Sequence, residues 1–68
     1  MDYIITDFKD NYKAYASSKG LAMANAINHC VVEGLTVIHV QENGPLTTIW
    51  YIDPDNDDIY TIYIKKSV

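Results

Sequence analysis

Sixty-eight residues with a net charge of −4 leave room for a single small domain, 1–68, and exclude a second core. At 49% hydrophobic and 21% charged, the composition is that of a folded chain and excludes disorder. The acidic balance argues against nucleic-acid binding through phosphate contacts, because only Lys65 and Lys66 are adjacent cations.

The lone Cys30 has no disulfide partner in the sequence, which favours a reducing, cytoplasmic setting. The opening MDYIITDFKD has neither a basic lead nor a long apolar run, so no signal peptide is expected. No apolar run is long enough to cross a bilayer, so no membrane partner is expected.

Residues 3–8 (YIITDF) have strand composition, and Lys9 to Asn11 supply turn chemistry before YKAYA, which predicts a hairpin. Ser17-Ser18 offers a helix N-cap. The following KGLAMANAINHCVVEG reads as a helix stopped by Gly34. Met23, Ala24, Ile27, Cys30 and Val31 recur at i, i+3, i+4 spacing and are expected to form its buried stripe, with Asn25, His29 and Glu33 facing solvent.

Three strands are predicted next, at 35–42, 46–53 and 59–66. Asn43-Gly44 is read as the two-residue loop of the first hairpin, and DPDNDD as the turn of the second. The expected fold is α+β: an antiparallel sheet in the order β-β-α-β-β-β with one helix packed on one face.

These turns predict a register. The first loop pairs Ile38 with Ile49; a symmetric acidic turn pairs Ile49 with Ile62 and Trp50 with Thr61. Ile38, Val40, Ile49, Ile62 and Ile64 then face the helix. Val37, His39, Thr48, Trp50, Thr61 and Tyr63 share the outer face, which has no second layer to cover it.

Within DPDNDD, Asp53, Asp55 and Asp57 begin like a calcium loop. The glycine position is Asp58, the glutamate position is Ile64 and the flanks are strands, so a solvated turn is expected instead. His29 and Cys30 are neighbours on a helix and diverge by about 100°, so they cannot share a metal. No C-x-x-C or H-x-x-x-H spacing occurs, and the three glycines are isolated, so no phosphate loop is present. No metal, no cofactor and no enzymatic activity is expected.

Six tyrosines and one tryptophan, partly gathered on the outer face, point instead to binding, since Tyr and Trp anchor interfaces. The candidate contacts are His39, Trp50 and Tyr63, with Asp55, Asp57 and Asp58 steering the chain toward a basic partner surface. Pairing of outer faces in a homodimer and stacking of single-stranded bases are the alternatives.

The run from YKAYASS through an alanine-rich helix to GLTVIHVQENGPLTTIWYID resembles, in layout, small phage-encoded inhibitors of bacterial systems, anti-CRISPR proteins among them. The resemblance spans roughly residues 2–66 and carries no functional residue across. It implies a non-enzymatic protein that blocks a bacterial defence complex or other host nucleic-acid enzyme by steric occlusion.

Overall fold

A computed structural model describes residues 2–9 and 11–67. Asp10, the middle of the turn read at Lys9 to Asn11, lies outside the described residues. The elements are β1 (Tyr3–Asp7), β2 (Tyr12–Ala16), α1 (Lys19–Val32), β3 (Thr36–Asn43), β4 (Leu46–Asp53) and β5 (Asp58–Lys66). The strands form one antiparallel sheet ordered β2-β1-β5-β4-β3, with the helix on one face. The chain is therefore α+β, with the first hairpin joined to the second through β1 against β5, Ile5 opposite Ile64.

The helix begins where expected. Ser18 is the N-cap, and its hydroxyl accepts a hydrogen bond from the Leu21 amide at 3.2 Å. It ends before Gly34, whose φ of +72° places it in the left-handed region that favours glycine. The face it buries is not the expected one. Ala22, Ala26 and Cys30 are fully buried, whereas Ile27 is 41% and Val31 68% exposed. Apolar side chains occur on nearly every side of this helix, so periodicity alone could not select one. Three small residues at i, i+4, i+8 let the helix axis approach the sheet, and Ala14 and Ala16 on β2 meet the same need. This explains why two weak strand formers occupy that strand.

The core joins those residues to Ile5, Ile49, Ile62, Ile64 and Tyr51, all on the helix-facing side of the sheet. Their alternation follows from the β4–β5 register, in which Ile49 opposes Ile62 and Trp50 opposes Thr61 as the turn chemistry predicted.

The β3–β4 hairpin departs from expectation in two ways. Asn43 pairs with Leu46, so the two loop residues are Gly44 and Pro45 rather than Asn43 and Gly44. In the expected register Pro45 would sit in the ladder with no N–H to donate; in the loop it needs none. Gly44 takes φ of +61° at the first central position. The second departure is a bulge between Val37 and His39. Val37 opposes Tyr51 and His39 opposes Trp50, leaving Ile38 as the extra residue. Val37 consequently turns inward to pack on the core instead of joining the outer face. Ile38, expected to face the helix, is about half exposed, and Val40 keeps its inner side at the sheet edge.

Candidate protein-binding face

Residues opposed across antiparallel strands share a side of the sheet. The registers therefore set His39, Trp50 and Thr61 in one row of the outer face, and Gln41, Thr48, Tyr63 and Thr6 in the next. Phe8 follows β1 and lies edge-on to Tyr63, ring centroids 6.1 Å apart. His39 lies against Trp50 at 5.0 Å. Of the three aromatic-face residues named from sequence, the structure brings all three, His39, Trp50 and Tyr63, to this side. Sequence reasoning missed Phe8, which is 75% exposed. Its signal was present: Phe8 continues the odd–even alternation of Ile4 and Thr6 beyond the end of β1.

No outer-face position of the five strands is buried, because the single helix covers the opposite side. Phe8, Trp50, Ile59 and Thr61, with Lys9 and Tyr60 at the margin, line an open cleft of about 520 Å³. Surface apolar groups scattered singly are ordinary, but a contiguous set of this kind marks a contact region.

The charges around this face are segregated. Its strand positions carry Lys13 and Lys65 and no carboxylate. Lys13 lies over the Tyr15 ring at 5.8 Å. The acids Asp55, Asp57 and Asp58 are gathered in the β4–β5 turn at one end, exposed to solvent. That turn is held by its own side chains: Asp53 Oδ1 accepts from the Asp55 amide at 3.0 Å, and Asn56 Oδ1 from the Asp58 amide at 3.0 Å. Lys9 Nζ donates to Asp53 Oδ2 at 3.1 Å and lies over the Tyr60 ring. The Asp55 amide first, and Lys9 second, hold the Asp53 carboxyl below its usual range. Among the described residues no group of three His, Cys, Asp or Glu side chains is placed to hold a metal ion.

The opposite face contains a polar cluster that the sequence reading did not anticipate. Asp7 is fully buried, and its carboxylate accepts the Tyr51 hydroxyl and, at 3.2 Å, the Lys9 amide. His29 Nε2 lies 3.3 Å from Asp7 Oδ2, and its ring stacks on Tyr12 with centroids 4.0 Å apart. His29 was expected to face solvent. Its side chain is 10% exposed because the helix is rotated toward the small stripe, which turns His29 onto β1. The period-two alternation that buries Ile5 also buries Asp7, so the side on which Asp7 lies was legible, whereas its partners were not.

Cys30, one residue further along the helix, is fully buried. Burial raises its thiol pKa, and the nearby Asp7 carboxylate adds to the rise. A thiol held protonated in the core behaves as a small hydrophobe. Among the described residues, no buried side-chain nitrogen or oxygen lacks a hydrogen-bond partner. The cluster ties α1, β1 and β4 together. Comparison of the chain with protein-family models, with curated proteins and with solved structures returned no match.

Proposed function

We propose that this chain is a non-enzymatic binding domain that docks its uncovered sheet face on a larger protein and blocks a working surface there. The expected setting is that of a phage-encoded inhibitor acting on a bacterial defence complex or another host nucleic-acid enzyme. The observation that carries the binding reading is the run of Phe8, just past β1, with Tyr63, Trp50 and His39 on β5, β4 and β3, with no layer above it. Aromatic anchors of this kind supply most of the energy in protein interfaces. The acidic turn at one end and Lys65 at the other give the face a polarity that fixes how a partner lies on it.

The test is affinity capture from bacterial lysate with the wild-type chain and with a Phe8→Ala/Trp50→Ala double variant. A protein retained by the first and lost by the second supports the reading. Equal capture by both overturns the assignment of the face.

A second reading has its own observation. Lysines without carboxylates beside exposed aromatic rings also suit stacked bases of a single-stranded nucleic acid. Trp50 is the only tryptophan, so its fluorescence reports directly on this face. Quenching by oligonucleotide at low salt, reversed as salt rises, favours that reading; an unchanged spectrum removes it.

A further inference from the structure

We infer that Asp7, Tyr51 and His29 form a latch that selects one of two seatings open to α1 on the sheet. The helix carries two apolar stripes of identical spacing, one residue apart. Ala22, Ala26 and Cys30, at i, i+4 and i+8, are the stripe it buries. Met23, Ile27 and Val31 repeat that spacing one position later. A turn of about 100° with a shift of about 1.5 Å along the axis sets each residue of the second stripe where one of the first now lies. The second stripe is the bulkier, yet Ile27 and Val31 are exposed.

Burial of apolar area alone favours the bulkier stripe. A small stripe packs close and a large one stands further off, and either can fill the space beneath a helix. Asn25 and Asn28 do not decide between the seatings, since both lie away from the sheet in each. What differs is the polar contact. In the observed seating His29 Nε2 lies 3.3 Å from Oδ2 of Asp7, and its ring stacks on Tyr12. After the one-residue turn Cys30 occupies that place and the imidazole points away from the sheet. Asp7 stays where strand alternation puts it, fully buried, and loses a partner. Stripping a buried carboxylate in this way is costly.

The other contacts of Asp7 come from the sheet and its turn. The Tyr51 hydroxyl lies 2.8 Å and 2.7 Å from the two carboxylate oxygens, and the Lys9 amide donates at 3.2 Å. These hold the carboxylate in place whichever way the helix lies, so His29 is the member that senses the rotation. Lys19 with Glu42 is a second polar tie to the same seating, but that pair is largely exposed and contributes little. A buried polar contact can fix one arrangement among several apolar ones, as a single buried polar residue fixes register in a coiled coil. The latch lies on the helix side of the sheet, so this inference stands apart from the binding reading of the other face.

The test is methyl NMR on the triple variant Asp7→Val, His29→Ala, Tyr51→Phe, which removes the whole latch, with circular dichroism as the control for folding. In the wild type the Ala22 methyl should show nuclear Overhauser contacts to core side chains of the sheet, and the Val31 methyls none. In the variant the ratio of the two seatings should move at least about tenfold toward the second. Val31 then gains sheet contacts and Ala22 loses them. Adding Ile27→Asn and Val31→Asn to the triple variant should return Ala22 to the sheet, which a merely destabilising change would not do. Where the triple variant does not fold, His29→Ala, which leaves Asp7 and Tyr51 paired, carries the same test. Unchanged contacts of both reporters in a folded variant overturn the inference. Failure of both variants to fold overturns it too, because a helix with a second seating has a folded state to enter.

Discussion

The hydroxyl of Tyr51 lies 2.8 Å from Oδ1 and 2.7 Å from Oδ2 of Asp7, and both side chains are fully buried. A buried carboxylate depends on such donors, because stripping one leaves a polar group that water cannot reach. Tyr51→Phe removes the donor while keeping the ring. It should cost about 1–3 kcal/mol, a large share of the roughly 3–10 kcal/mol available to a chain of this size. Urea denaturation should show a lower midpoint with little change in slope. An unchanged midpoint would mean that this pair contributes nothing to the fold.

Ile49 and Trp50 are neighbours on β4 that point to opposite sides of the sheet. Ile49 is fully buried, so Ile49→Ala should cost about 2–5 kcal/mol through lost burial and the cavity left behind. Phe8→Ala removes an exposed ring and should cost under about 1 kcal/mol, and Trp50→Ala, at a half-buried ring on the uncovered face, should cost less than Ile49→Ala. Thermal unfolding of the three variants checks the contrast. A large loss for Trp50→Ala would place its ring in the core and remove it from the binding face.

The lowered pKa of Asp53 has a definite sign in a stability profile. The folded state holds the carboxylate more readily than the unfolded state does. Its contribution is complete above the ordinary aspartate range, about pH 4, and disappears as pH falls through the lowered folded value. Asp53→Asn should flatten the acid limb of the profile below about pH 4. Stability measured by denaturant titration at several pH values would expose the difference, and superimposable profiles would refute it.

Cys30 should resist modification in the native state, being both buried and held as a thiol. Alkylation by iodoacetamide at neutral pH should run roughly tenfold or more slower than in urea, since reaction waits on local opening. Intact-mass measurement against time follows this directly. Equal rates in both conditions would show the helix to be open.

Much of the architecture is legible from local chemistry. Ser18 caps the helix, Gly34 ends it, and the acidic turn sets Ile49 against Ile62, because each of these is decided within a few residues. The same turn sets Trp50 and Tyr63 on one side of the sheet, and the β3–β4 pairing adds His39 to it. Val37 was misplaced because a bulge adds one residue that alternation cannot foresee. Pro45 carried the information that shifts the first loop, since a residue without an N–H belongs outside the ladder.

The identity and order of the elements, and the β4–β5 register, were determined by the sequence itself. Turn residues, caps and strand alternation act locally, and each points the same way here. Tertiary structure decided which side of α1 is buried, where β1 pairs, and that Asp7, His29 and Tyr51 meet. These depend on volumes and partners brought from distant parts of the chain. Nine apolar residues of α1 competed for the core, and the close approach permitted by Ala22, Ala26 and Cys30 selected among them. That selection left Ile27 and Val31 outside and carried His29 onto the buried carboxylate of Asp7.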